Sequence, residues 1–173
     1  MAVWIQIIGK RKVESPEGEI EFLSNVLRNL KLDLSFIGET YNQDIWKLNN
    51  NQNIQYFEYK LDKKELLDSI RLTFNNEEFL DLSGPFEFFS KYYVFIDPYN
   101  AELTRKWREV FKEMAKAFGI TYLYYFSEDF FPLEFIYDGE SEVKDLFDLF
   151  NDKNRVEDLK ELNYNNYFVE YCV

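Results

Sequence analysis

The segment from 91 to 127 constrains the fold more than any other, because its residues predict a strand, a helix and a second strand in turn. The first strand, 92–96, is an unbroken run of aromatic and β-branched residues, as in strands that are covered on both faces. Asp97-Pro98 favours a helix start, since Asp can accept from the free amides of the first turn and Pro has no amide to leave unpaired. Gly119 favours a helix end, because glycine adopts the left-handed conformation without steric cost.

The predicted helix carries one apolar stripe with spacings of three and four residues. The stripe comprises Leu103, Trp107, Val110, Phe111, Met114 and Phe118. An apolar strand follows at 120–126, and a strand-helix-strand of this length implies a parallel pair with a right-handed connection. We therefore predict an α+β fold with a single domain over residues 1–173. Its mixed β-sheet contains a β-α-β unit (about 92–126) and is flanked by helices.

Apolar periodicity and capping residues predict the other elements. Helices are expected from Ser15-Pro16 to Leu30, from Asp62 to Phe74 and from Ser141 to Phe150, with a further helical turn at 156–162. Strands are expected at 3–8, 32–38, 133–137 and 167–173, and a hairpin at 44–48 and 54–61 with an Asn-rich tip. The helix at Asp62 is predicted because Asp62-Lys63-Lys64-Glu65 has the form of a capping box.

The net charge of -12 is concentrated near the carboxyl end of the sequence. Residues 128–173 hold thirteen acids against four bases, a net charge of -9, and the first 127 residues carry only -3. A region of one sign attracts a basic protein and repels nucleic acid. We therefore expect a basic protein as the partner and no nucleic acid.

The chain contains no histidine, which removes the commonest general base and the commonest metal ligand. Cys172 is the only cysteine, so it has neither an imidazole partner nor a second thiol. No apolar run is long enough to cross a bilayer, and the basic residues 10–12 follow the first apolar run instead of preceding it, unlike in a signal peptide. These features predict a cytoplasmic protein that has no catalytic residues, no metal, no cofactor and no membrane partner.

One pattern supports an enzymatic alternative. Asp44 on the first arm of the predicted hairpin, with Glu58 and Lys60 on the second, resembles the acid and Glu-x-Lys of restriction-endonuclease-like enzymes, which hold Mg²⁺ and orient a water. The same Glu-x-Lys spacing recurs at 142–144, and alternating Glu and Lys is also common on a half-exposed strand. A Mg²⁺-dependent hydrolase or nuclease is therefore the alternative to a binding protein.

Aromatic residues lie among the acids of the carboxyl-terminal region, namely Phe130, Phe131, Phe135, Tyr137, Tyr164 and Tyr167. Aromatic anchors inside a charged rim are typical of protein-binding surfaces. The predicted partner-binding residues are Glu128, Asp129, Phe130, Phe131, Tyr137, Asp138, Glu142, Asp145 and Asp148.

The general character of the chain resembles the immunity proteins that neutralise bacterial polymorphic or contact-dependent toxins. The resemblance rests on small size, acidity, aromatic richness, the absence of histidine, and the segments Glu128-Asp129-Phe130-Phe131 and Asp145-Leu146-Phe147-Asp148. It implies an antitoxin that binds a basic toxin domain, often a nuclease, and covers or distorts its active site. The same character is similar to that of phage-encoded inhibitors that mimic the charge of nucleic acid.

Overall fold

A single mixed sheet contains all eight strands of the described residues. The computed structural model describes residues 5–51, 54–61, 69–84, 98–127, 136, 139–150, 152–162 and 166–173. The strands are β1 (Ile5–Lys10), β2 (Lys47–Asn51), β3 (Ile54–Lys60), β4 (Ser69–Thr73), β5 (Phe79–Ser83), β6 (Tyr122–Ser127), β7 (Arg155–Val156) and β8 (Tyr167–Tyr171). Their spatial order is β2-β3-β4-β5-β1-β6-β8-β7, and every neighbouring pair is antiparallel except β7 with β8. The predicted α+β class with a mixed sheet is confirmed.

Three α-helices flank this sheet in the described part of the chain. They are α1 (Glu19–Asn29), α2 (Pro98–Ala117) and α3 (Val143–Leu149). Short 3-10 helices occur at 16–18, 35–37, 43–45, 152–154 and 159–161. None of the described helices combines the length and the apolar character needed to cross a membrane.

The predicted stripe of α2 is confirmed as its buried side. Trp107, Val110, Phe111 and Met114 are buried, and Trp107 meets the ring of Phe36 edge-on with centroids 5.2 Å apart. Gly119 follows the helix with a φ of 72°, the left-handed conformation that the sequence predicts there.

The two faces of the sheet bury different cores because successive side chains of a strand point to opposite faces. On β1, Ile5 and Ile7 join the large core beneath α1 and α2, whereas Ile8 joins a smaller core beneath α3. Phe79, Phe126, Val143, Leu146 and Tyr167 complete the buried part of that smaller core.

The strand predicted at 32–38 is not formed, although its apolar residues are buried as expected. Leu32 and Leu34 belong to the large core, and the chain turns through the 3-10 helix 35–37. The cause is local, since Asp33 Oδ1 accepts from the backbone amide of Ser35 at 3.0 Å and from its hydroxyl. An Asx turn of this kind competes with strand pairing.

The helix predicted from Asp62 to Phe74 is wrong over its second half. Residues 62–68 lie outside the described part, and Ser69–Thr73 form β4. Ile70 and Leu72 alternate with the exposed Arg71, so the period is that of a strand paired on both sides, with β3 and β5. Sheet pairing therefore outweighs the local capping pattern.

The predicted β-α-β unit is observed only in part. Its helix and second strand correspond to α2 and β6, while its first strand, 92–96, lies outside the described residues. Both edges of β6 are occupied by antiparallel neighbours, β1 and β8. β6 therefore has no free edge for the directly paired parallel strand that the sequence predicted.

The remaining strand predictions have mixed outcomes. The hairpin forms as β2 and β3, with tip residues 52–53 outside the described part, and the strands predicted at the two ends correspond to β1 and β8. The strand predicted at 133–137 lies outside the described residues apart from Ile136. The sequence did not predict β5.

Candidate functional site

The acidic surface expected from the sequence is carried in part by α3, a helix that is apolar on one side and acidic on the other. Val143 and Leu146 are buried, with 6% and 1% of their surface exposed, and they pack on the sheet in the smaller core. Glu142, Asp145 and Asp148 are exposed. The apolar side anchors the helix, so the carboxylates lie on its solvent side.

Two of these carboxylates hold the start of α3. Asp145 Oδ2 accepts from the backbone amide of Glu142 at 3.1 Å, and the Glu142 side chain accepts from the backbone amide of Asp145. This reciprocal arrangement is a capping box, and it satisfies amides that the helix itself leaves unpaired. The predicted cap, Ser141, is therefore replaced by Glu142.

Among the described acids of the predicted site, Asp148 is the one whose carboxylate takes no part in the cap of α3. Its side chain is 63% exposed, and its nearest cation is Lys144 Nζ, 3.6 Å away and itself 79% exposed. An exposed pair one helical turn apart contributes little to stability and is screened by salt. The carboxylate of Asp148 is consequently available to a partner.

The other acids of the carboxyl-terminal region divide in the same way. Glu140, Glu157 and Glu161 are exposed, and Asp158 accepts from the Lys160 amide at 2.9 Å at the start of the 3-10 helix 159–161. Glu170 is buried and forms an ion pair with Arg108 of α2. Glu170 therefore does not add to the surface field that the net charge of -9 suggested.

Six of the nine predicted partner-binding residues lie outside the described part of the chain: Glu128, Asp129, Phe130, Phe131, Tyr137 and Asp138. Tyr167, one of the aromatics expected among the surface acids, is only 3% exposed. Its ring centroid lies 4.9 Å from that of Phe150, beneath α3. The alternation that predicted its strand also places it in the core. Its role is structural.

Sequence reasoning did not identify the cation that lies against α3. Lys10, at the end of β1, places its Nζ 5.1 Å from the ring centroid of Phe147. Such a contact neutralises part of the local field and fixes the ring. The contact follows from the fold, because the two residues are distant in sequence.

The three residues of the predicted Mg²⁺ site are not brought together. Asp44 lies in the 3-10 helix 43–45, ahead of the hairpin, and lines a surface cavity with Arg28 and Phe57. Glu58 follows Phe57 on β3 and therefore points to the opposite face of the sheet. Within the described residues, no group of three or more acids or thiols is positioned to hold a metal ion.

Glu58 is instead engaged by neighbouring strand residues. Only 8% of the residue is exposed, and its Oε2 accepts from Ser69 Oγ at 2.8 Å and from Arg71 Nε at 2.9 Å. These two contacts make the Glu58 carboxylate the ion-pair partner of Arg71. The Glu-x-Lys pattern that suggested a nuclease therefore has another explanation.

A buried polar cluster lies between α2 and the sheet. It includes the Arg108–Glu170 ion pair, the hydroxyl of Tyr125 and the thiol of Cys172, which donates to the Glu170 carbonyl at 3.5 Å. Burial raises the pKa of Tyr125, and burial also raises the pKa of Cys172 to about 11. The thiol is therefore protonated near neutral pH. It is a poor nucleophile in this state, because only the thiolate reacts readily.

One concave region, a cavity of about 570 Å³, lies where the end of β1 meets the start of α1 and the end of α2. Arg11 lies in its wall, but its guanidinium is already bound: it donates to the carbonyls of Asn76 at 2.6 Å and of Phe74 and Phe79 at 3.2 Å, and pairs with Glu19. The other walls include Phe22 and Leu80. This arrangement ties the chain segments together and leaves the Arg11 guanidinium occupied.

Comparison with known proteins identifies no relative. No family model matches the chain, and no curated protein or solved structure matches it either.

Proposed function

We propose that this protein is a non-catalytic binding protein that neutralises a basic protein partner, acting as an immunity protein against a bacterial toxin such as a nuclease. The observation that carries the proposal is the two-sided character of α3. Its apolar side is fixed on the sheet through Val143 and Leu146, and its outer side presents exposed acids. The proposal includes a cytoplasmic location.

The charge of this surface suits recognition of a basic protein. Long-range attraction raises the rate at which oppositely charged surfaces meet, and it does so most strongly at low ionic strength. Asp148, together with Glu140 just before the helix, has an exposed carboxylate without a capping role. These two acids are the best candidates for steering a partner.

The capping acids support the proposal in a different way. Glu142 and Asp145 fix the start of α3, so the helix does not need to become ordered when a partner binds. A surface that is ordered in advance loses less conformational entropy on association. The two acids thus contribute to binding through the helix that they stabilise.

The experiment begins with affinity capture on the immobilised chain, followed by identification and separate purification of the captured protein. We expect a basic protein whose toxic or nucleolytic activity falls in proportion to added wild-type chain. Asp148→Lys should weaken the inhibition at low salt. A captured partner that is acidic, or whose activity is unaffected by saturating wild-type chain, would contradict the proposal.

The matched control for this experiment is Glu21→Lys. Glu21 is an exposed acid of α1, on the side of the sheet away from α3, and its reversal changes the net charge by the same amount. Weaker inhibition by Asp148→Lys than by Glu21→Lys would assign the effect to the surface of α3.

A further inference from the structure

The sheet face on the α3 side changes character over β2, β3 and β4. Cross-strand register places Lys47 of β2, Glu58 of β3 and Arg71 of β4 side by side in one row. Tyr56 lies one step along the same face of β3. This part of the sheet therefore carries polar and charged side chains, in contrast to the apolar core beneath α3.

Arg71 is held in one orientation by its neighbours. Its Nε donates to Glu58 Oε2 at 2.9 Å and to Ser69 Oγ at 3.2 Å, and its guanidinium carbon lies 5.1 Å from the ring centroid of Tyr56. Its Nη1 and Nη2 donors have no hydrogen-bond partner among the described residues. Half of the Arg71 side chain is exposed, so this pair of donors is fixed and open to solvent.

Two further cations lie on the same face of these strands. Lys47 is directly opposite Glu58, and Lys60 is two residues along β3 on the same face. Both are exposed and neither forms an ion pair with another described residue. The three cations are set against Glu58 and against Asp81 of β5, which register places in the next row, opposite Thr73 and level with Tyr56. These five charged groups leave a local charge of +1.

We propose that this face of β2–β4 is a binding site for a phosphate group, with Arg71 as its central residue. A planar guanidinium with two free nitrogens donates to two oxygens of a phosphate at once, and ammonium groups add charge around it. The net local charge of +1 favours the binding of an anion. The site is separate from the surface of α3 and does not depend on the proposed function.

The charge of the whole chain limits the size of the ligand. A polyanion such as nucleic acid would extend beyond this face and meet the field of a chain whose net charge is -12. A small phosphate ester contacts only the local cations, since repulsion beyond about 8–10 Å is screened at ordinary salt. The ligand class is therefore a small phosphate or phosphate monoester.

The test is an NMR titration of the full chain with inorganic phosphate at pH 8 and constant ionic strength. We expect saturable shifts of the Arg71 Nε–H signal and of the β3 and β4 amides. Arg71→Lys keeps the charge but loses the paired donors, so its affinity should fall about tenfold, equivalent to about 1.4 kcal/mol. Arg28→Gln, which removes an exposed cation from α1, should bind as the wild type does.

The exposed lysines provide a second measurement that does not disturb Glu58 or Arg71. Lys47→Gln and Lys60→Gln should each weaken phosphate binding severalfold while leaving the amide spectrum of the free protein unchanged elsewhere. A parallel titration with adenosine 5′-monophosphate distinguishes the source: equal affinity indicates recognition of the phosphate alone, and tighter binding indicates a nucleotide. An absence of saturable shifts, shifts located away from β3 and β4, or equal binding by Arg71→Lys would overturn the assignment.

Discussion

Substitution of Gly9 tests how closely β1 approaches the segment that follows α2. A Cβ built on Gly9 would lie 2.7 Å from Cδ1 and 2.8 Å from Cγ2 of Ile120, and 3.3 Å from Cδ2 of Leu123. Non-bonded carbon atoms prefer about 3.5–4.0 Å, so the Ile120 side chain must move by close to 1 Å or change rotamer. Both neighbours are fully buried and have little room to do so.

The expected cost of Gly9→Ala follows from two opposing effects. Overpacking of a filled core costs about 1–3 kcal/mol. Loss of glycine's freedom in the unfolded chain returns about 0.4–1 kcal/mol, because Gly9 does not have a positive φ and alanine tolerates its backbone conformation. We expect a net loss of about 1–2 kcal/mol in the free energy of unfolding.

Urea denaturation followed by tryptophan fluorescence measures this change. Gly18→Ala is the steric control, since its new Cβ would meet only Ser15, at 3.6 Å and beyond. Because Gly18 is the N-cap of α1, where glycine is preferred to alanine, its substitution should cost up to about 1 kcal/mol, with no coupling to Ile120→Ala. Ile120→Ala should cost about 2–5 kcal/mol alone and at least about 1 kcal/mol less in the Gly9→Ala background. A Gly9→Ala protein as stable as the wild type, or strictly additive changes, would refute the close approach.

Three further outcomes are expected from the described contacts. Trp107→Ala should lower the free energy of unfolding by about 3–5 kcal/mol, and a loss below about 1 kcal/mol in a denaturant melt would mean that the α2 stripe is not core. Asp145→Ala should cost about 0.5–2 kcal/mol through loss of the α3 cap, while thermal melts of Asp148→Ala should differ little from the wild type; equal losses would contradict the division of roles. Burial raises the pKa of Cys172 to about 11 in the folded chain. The stability gained by burying the uncharged thiol is therefore present below the usual thiol pKa and lost as pH rises from about 9 to 11. Urea midpoints of wild type and Cys172→Ala should converge over that range, and parallel pH profiles would disprove this linkage.

The sequence was most informative where a strong helical period coincided with clear end signals. The α2 stripe around Trp107 and the end at Gly119 are both as predicted, because the helix buries one side on a single large core. The segments 32–38 and 62–74 were harder because their apolar residues fit more than one period. An Asx turn at Asp33 decided the first, and pairing of β4 with β3 and β5 decided the second.

The candidate site shows a similar division. The exposure of Asp145 and Asp148 follows from helical spacing, which the sequence contains. The capping role of Asp145 depends on whether α3 begins after Ser141 or Glu142, a shift of one residue that spacing cannot resolve. The engagement of Glu58 by Arg71 depends on the register of two strands, which is set by tertiary pairing.

The association rate of the chain with its captured basic partner tests the central claim most directly. Surface plasmon resonance at low and high salt should show Asp148→Lys associating several times more slowly than the wild type at low salt, with the difference vanishing at high salt because exposed charges are then screened. Glu21→Lys, with the same net charge, should slow association less. Equal rates for the two variants at low salt would show that the surface of α3 does not guide the partner.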